Sequence, residues 1–238
     1  GGNIGTVTNI DTLIGGGGTD RITLGSVTAN ASIDLGAGND ALTLANGANS
    51  ATIGNVETIA GGTGDDTITL GSTASNASID LGTGNDTLAL GNFPNTATVG
   101  NVGTITGGTG RDAITLSTAL TDSISVDLNG GANTLTLAGS GNVGTVTNIN
   151  TVIGGAGTDT VTLGSSVTSA SADLGAGSDT LTLADGGNTA TVANVETIVG
   201  GSGADAVTLA AAVSNASLDL GGGGDTLILG NYANTLTV

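Results

Sequence analysis

The chain has 238 residues, 45 of them glycine, with 20 Asp and Glu against 2 Lys and Arg and a formal charge of −18. It has no His, Cys, Met or Trp, both of its cations are Arg, and it has one Tyr, one Phe and one Pro. Imidazole bases, thiolate nucleophiles, Schiff-base lysines and zinc sites of the N/S type are therefore excluded, so no enzyme activity is expected. An acidic surface also repels phosphates, which argues against a nucleic-acid partner. Hydrophobic residues still make up 37%, almost all Val, Ile, Leu and Ala, which is too much for a disordered acidic tail and suits a thin core of aliphatic side chains. No run of about 18 apolar residues exists, so no transmembrane segment is expected. The first residue, Gly1, opens within a repeated pattern and no leader pattern precedes it, which points to a fragment of a longer repeat protein or to a processed form.

From the N-terminus, the first distinct element is Gly15-Gly16-Gly17-Gly18-Thr19-Asp20-Arg21-Ile22-Thr23-Leu24, a glycine loop running into an alternating stretch. It recurs as GGTGDDTITL from Gly61, GGTGRDAITL from Gly107, GGAGTDTVTL from Gly154 and GGSGADAVTL from Gly200. Between these copies lies a second block, IDLGAGNDALTL from Ile33, with counterparts from Ile79, Val126, Ala172 and Leu218. Both blocks fit one nonapeptide template, G-G-x-G-x-D-x-U-x, with U a large aliphatic residue. The ten loops begin at 15, 35, 61, 81, 107, 128, 154, 174, 200 and 220, so their spacing alternates between 20 (once 21) and 26.

After each loop the residues alternate, as in Thr67-Ile68-Thr69-Leu70 and Thr87-Leu88-Ala89-Leu90, which reads as short half-buried strands. The expected architecture is all-β: a right-handed parallel β-roll or β-helix solenoid spanning 1–238 as one domain. It should hold five 46-residue repeats, each of two coils, a short one and a long one set by the loop spacings of 20 and 26. Two Asn series, Asn3, Asn49, Asn95, Asn142, Asn188, Asn234 and Asn9, Asn55, Asn101, Asn148, Asn194, are expected to form structural ladders at the turns. No atypical capping repeat closes either end, which suggests further chain or self-association, end to end or lateral.

In such a stack the sixth-position residues form one column: Asp20, Asp40, Asp66, Asp86, Asp112, Asn133, Asp159, Asp179, Asp205 and Asp225. Carboxylates about 5 Å apart at an effective dielectric of about 20 repel by roughly 3 kcal/mol per pair, so a cation between coils is expected. Ca²⁺ suits carboxylates and loop carbonyls better than Mg²⁺, and nothing here attracts soft transition metals. Ten stacked loops leave nine gaps, seven with Asp on both sides, so about seven to nine Ca²⁺ are expected, with weaker or absent sites beside Asn133. Seven such ions would reduce the formal charge from −18 to about −4.

GGTGDDTIT from Gly61 and LGTGNDTLA from Leu81 resemble the repeats of the RTX, or hemolysin-type calcium-binding, family. The resemblance covers all five repeats. It implies a parallel β-roll in which Ca²⁺ sits between adjacent loops, held by the nine sixth-position Asp side chains and by carbonyls of loop glycines such as Gly15, Gly61, Gly107, Gly154 and Gly200. The family's coil is two nonapeptides with calcium loops on both edges, whereas longer coils with the motif on one edge are expected here. The resemblance further implies export by type I secretion and folding outside the cell or at the bacterial surface. A chain without catalytic groups then reads as a calcium-stabilised structural protein of a surface layer (S-layer), matrix or filament. The alternatives are a rod-like spacer or a ligand- or ice-binding region of a secreted adhesin, or the roll of an enzyme whose catalytic domain lies outside this sequence.

Three smaller features have bland expectations. Asp34, Asp80, Asp127, Asp173 and Asp219 read as a solvated acidic face. Outward pairs such as Thr67/Thr69, Thr160/Thr162 and Thr180/Thr182 are good strand formers, although a flat Thr array could also order water. Arg21 and Arg111 read as moderators of the acidic column.

Overall fold

In the computed structural model, which describes residues 1–238, the chain is an all-β parallel solenoid. No helix is long and apolar enough to cross a membrane. Two compact units are present, one of Gly1–Thr118 with Leu128–Gly131 and one of Ala119–Asp127 with Ala132–Val238.

The first unit holds β1 (Ile4–Val7), β2 (Thr12–Gly17), β3 (Arg21–Leu24), β4 (Ala31–Ala37), β5 (Ala41–Thr43), β6 (Ser50–Gly54) and β7 (Thr58–Thr63). It continues with β8 (Thr67–Leu70), β9 (Ser75–Thr83), β10 (Thr87–Ala89), β11 (Thr96–Gly100), β12 (Thr104–Thr106) and β13 (Ala113–Leu116). The second unit holds β14 (Ser125–Asp127), β15 (Thr134–Thr136), β16 (Val143–Thr147), β17 (Thr151–Gly155), β18 (Thr160–Leu163) and β19 (Thr168–Gly175). It ends with β20 (Thr180–Thr182), β21 (Thr189–Ala193), β22 (Thr197–Val199), β23 (Ala206–Leu209), β24 (Ser214–Asp219), β25 (Thr226–Ile228) and β26 (Thr235–Thr237). Within each unit the odd-numbered strands form one parallel sheet and the even-numbered strands the other, so one coil is two strands.

The strands follow from the alternation in the sequence. Ile68 is 0% exposed and Leu70 5%, while Thr67, next to the loop, stays at the surface. The buried hydrophobic core consists only of Ile, Leu, Val and Ala, as the composition requires. Full burial of one such large aliphatic side chain stabilises by about 1.5–3 kcal/mol.

The coil count differs from the sequence expectation. Register pairs Ile4 with Arg21, Arg21 with Ala41, Ala41 with Thr58 and Thr58 with Ser78. Successive coils therefore advance by 17 or 20 in sequence number, as the cross-coil bonds from Asn3 to Asp20 and from Asp20 to Asp40 also do. No coil has the long step expected from the loop spacing. Residues 21–66 contain five strands, β3 to β7, and residues 67–112 the next five, β8 to β12. Each sequence repeat is thus two and a half coils rather than two. The step from Asp40 to Asp66 is one and a half coils and crosses to the opposite corner. The motif consequently occupies both corners within each unit, not one.

Truncating Ile68 to Ala should cost about 2–5 kcal/mol in urea unfolding, whereas Thr67→Ala on the same strand should stay within about 0.5 kcal/mol. Equal effects would show that β8 does not bury the face assigned to it.

Candidate metal centre

Each coil turns sharply before each strand, and a backbone N–H there lies beyond the reach of the strand ladder. A side-chain oxygen of the next coil accepts it. At the corner before the even-numbered strands of the first unit, Thr28 N–H donates to Asn49 Oδ1 at 3.2 Å, Asn49 N–H to Asp66 Oδ1 at 2.8 Å, and Asp66 N–H to Asp86 Oδ1 at 2.7 Å. The second unit repeats the series: Leu120 N–H to Asn142 Oδ1 at 2.9 Å, Asn142 N–H to Asp159 Oδ1 at 2.8 Å, and Asp159 N–H to Asp179 Oδ1 at 2.7 Å. The other corners carry the same order through Ala74, Asn95 and Asp112, and through Val167, Asn188, Asp205 and Asp225.

Each residue of the first Asn series is thus a structural rung, but the series is not a ladder of its own: Asn49 and Asn142 precede even-numbered strands, Asn95 and Asn188 odd-numbered ones, and each bonds an Asp of the next coil. Asn49 Nδ2 donates to the carbonyls of Ala45 at 2.8 Å and Gly47 at 2.7 Å, and to Asp66 Oδ1 at 2.9 Å. Asn95, Asn142 and Asn188 do the same at their own turns.

The sixth-position Asp residues do not stand in one column. They fall in adjacent-coil pairs that change corner with each repeat: Asp20 and Asp40 before β3 and β5, Asp66 and Asp86 before β8 and β10, Asp159 and Asp179 before β18 and β20, and Asp205 and Asp225 before β23 and β25. Asp112 belongs to the first unit and Asn133 to the second. The nine gaps expected from a single stack are therefore not formed. The side chains also lie inside rather than outside, for the sixth-position Asp residues from Asp20 to Asp205 are at most 1% exposed, and only Asp225 is at the surface.

The glycines make this packing possible. A Cβ on Gly15 would lie 2.5 Å from Asp20 Oδ2, and one on Gly154 2.7 Å from Asp159 Oδ2, so the carboxylate folds back over its own loop. Cβ atoms on Gly15, Gly61, Gly107, Gly154 and Gly200 would also overlap the carbonyls of Leu35, Leu81, Leu128, Leu174 and Leu220. The two loops of each pair therefore meet backbone to backbone, as in the bonds from Gly18 N–H to the Ala37 carbonyl at 2.7 Å and from Gly64 N–H to the Thr83 carbonyl at 2.8 Å.

One carboxylate oxygen remains bare. Oδ2 of Asp20, Asp40, Asp66, Asp86 and Asp179 is buried without a hydrogen-bond partner, while Oδ2 of Asp159 and Asp205 has only a long contact, 3.4 and 3.3 Å, from the N–H of Gly155 and Gly201. Each bare buried acceptor costs about 1–3 kcal/mol, and five together rival the whole stability of a domain at about 5–15 kcal/mol. Burial raises the Asp86 carboxyl above the ordinary carboxylate range, the Asp66 N–H lowers it, and the charges of Asp66, Asp65 and Asp80 raise it further. Burial likewise raises Asp179 against the Asp159 N–H, helped by the charges of Asp159 and Glu196, and raises Asp112 against the hydrogen bonds from Asn95. The residues fit a hard divalent cation: paired anionic oxygens, short of donors, lie in glycine loops rich in carbonyls. No group of three or more carboxylates gathers, so backbone carbonyls would have to complete the coordination of any ion held there.

Asp34 and its counterparts have a role that sequence reasoning missed. Asp34 Oδ1 accepts the N–H of Gly36 at 3.0 Å and Nδ2 of Asn55 in the next coil at 2.7 Å. Asp80 with Asn101, Asp127 with Asn148 and Asp173 with Asn194 repeat the cross-coil bond at 2.7 Å. Asn9, Asn55, Asn101, Asn148 and Asn194 all have φ between 53° and 58°, a left-handed conformation that Asn tolerates and that turns the corner. The signal available in the sequence was the constant offset of 21 from each Asp to its Asn.

No family model matches this chain, and no curated protein or solved structure matches it either.

The raised carboxyls set a pH dependence with a definite sign. A folded chain that holds protons on Asp86, Asp112 and Asp179 above their unfolded value near 3.8 binds more protons than the unfolded chain, so stability falls as pH rises through the folded values. In chelator, the thermal midpoint should fall as pH is raised from about 4 through the folded values of these groups. The opposite slope would mean that the buried carboxylates are satisfied without a cation.

Proposed function

We propose that this chain is a calcium-stabilised structural repeat protein, exported and folded outside the cell as part of a surface layer, matrix or filament. The observation that carries the reading is the set of buried Asp Oδ2 atoms without partners inside paired glycine loops. Calcium would be held by the pairs Asp20/Asp40, Asp66/Asp86, Asp159/Asp179 and Asp205/Asp225 with carbonyls of the loop glycines, one ion per pair. Bound, it supplies positive charge where two carboxylates repel. Coil steps of 17 and 20 lie on either side of the two nonapeptides of the RTX roll, which supports membership of that family. The motif reaches both corners but in different coils, whereas the family's loops stand on both edges of its coil.

Such a site exists only in the folded chain, so binding free energy becomes folding free energy. At low calcium the bare carboxylates weaken the fold, which suits a chain passed unfolded through a type I exporter. At a free concentration of about 100 times Kd, each ion adds about 2.7 kcal/mol.

One observation favours the surface-recognition alternative. On the even-numbered sheet of the first unit, Ser50, Thr67, Thr87 and Thr104 align in one outward column, and Thr52, Thr69, Ala89 and Thr106 in the next. This array carries no charge on a strongly acidic chain, and inhibition of ice recrystallisation by the folded protein would move the assignment to it.

Titrating Ca²⁺ into chelator-treated protein should produce a cooperative gain of β signal in far-UV circular dichroism and raise the melting temperature, with Mg²⁺ at the same concentration having a smaller effect. Full structure and an unchanged melt in excess chelator would overturn the reading.

A further inference from the structure

Three of the loop pairs are alike in their buried Asp residues and the Asn rung that precedes them, yet they differ in the residue that follows. After Asp20/Asp40 the next coil supplies Glu57, whose Oε2 accepts the Asp40 N–H at 2.7 Å. After Asp159/Asp179 it supplies Glu196, whose Oε2 accepts the Asp179 N–H at 2.8 Å. After Asp66/Asp86 it supplies Gly103, which has no side chain and directs its own N–H to the Asp86 carbonyl at 2.9 Å.

On the basis of the calcium reading above, we infer that Glu57 and Glu196 strengthen calcium binding at their own pairs, Asp20/Asp40 and Asp159/Asp179, by about tenfold each. Glu57 and Glu196 act as positioning residues and not as ligands, because no three-carboxylate group forms. Each fixes a negative charge one rung from a carboxylate that already has a bare oxygen: Oδ2 of Asp40 and of Asp179 has no partner, and both residues are 1% exposed. A divalent ion feels that charge twice as strongly as a monovalent one, and Glu57 and Glu196 are half-buried, which lessens its screening. Gly103 supplies no such charge to Asp86, whose neighbouring charges are those of Asp65 and Asp80 instead.

The test is isothermal titration of CaCl₂ into the chelator-treated full chain at low ionic strength, comparing wild type with Glu57→Gln, Glu196→Gln and the double variant. Gln retains a carbonyl oxygen to accept the Asp40 or Asp179 N–H, so the rung survives and only the charge is lost. Urea unfolding in chelator confirms this if the variants are as stable as wild type or more so. Each single variant should weaken the binding of one ion about tenfold relative to wild type, and the double variant that of two. Identical isotherms for wild type and double variant, with calcium still bound, would overturn the inference and leave the calcium reading intact. No calcium uptake by wild type would overturn both.

Discussion

A parallel solenoid hides backbone amides at its corners, where the chain turns between sheets and no neighbouring strand can pair them. Buried donors of this kind must find acceptors, and here most find a side-chain oxygen one coil further on, Asp86 opposite Gly103 being an exception. The requirement dictates much of the sequence. It places Asn or Asp immediately before the strands at the motif corners, and it removes every Cβ from the positions where Asp20 and Asp159 fold back and where paired loops touch. The aliphatic core can then stay thin, because the corners are cross-linked by polar ladders instead of being wedged apart by large side chains.

That same requirement makes the choice of Asp informative. A neutral amide serves the ladder fully: Asn49 accepts one N–H, donates to two carbonyls of its own turn and donates to the next rung. Asn133 occupies a sixth position and is itself buried, so the loop tolerates an amide there. A carboxylate supplies the acceptor but has no donor for its second oxygen, and two of them in adjacent coils repel. Hydrogen bonding alone therefore gives no reason for Asp at these positions. A cation does.

Much of this was legible in the sequence because it depends on local period. The alternation of apolar and polar residues placed Ile68 and Leu70 inside and Thr67 outside, and the equal spacing of Asn49, Asn95, Asn142 and Asn188 marked them as structural turn residues, though as single rungs rather than one ladder. The number of coils per repeat was not legible in the same way. Between Asp40 and Asp66 lie β5, β6 and β7, but β6 and β7 are short and separated only by the corner at Asn55, so the stretch reads as one long coil. What decides the matter is a left-handed backbone at Asn55, held by Asp34 from the preceding coil, and that contact is not visible as a local pattern. Burial of the sixth-position Asp was likewise hidden, since a charged residue in a glycine-rich loop ordinarily faces water.

An odd number of strands in each repeat has a geometric consequence. A shift of one sequence repeat carries β3 onto β8, and with it a position from one sheet to the other, so sequence repeat and half-turn are combined in one operation. Within a unit, successive repeats are related like the steps of a spiral staircase with a landing on alternate sides, and true equivalence returns only after two of them. A side chain at a given place in one repeat therefore has its counterpart in the next repeat on the other sheet, as Arg21 on β3 and Thr67 on β8 show.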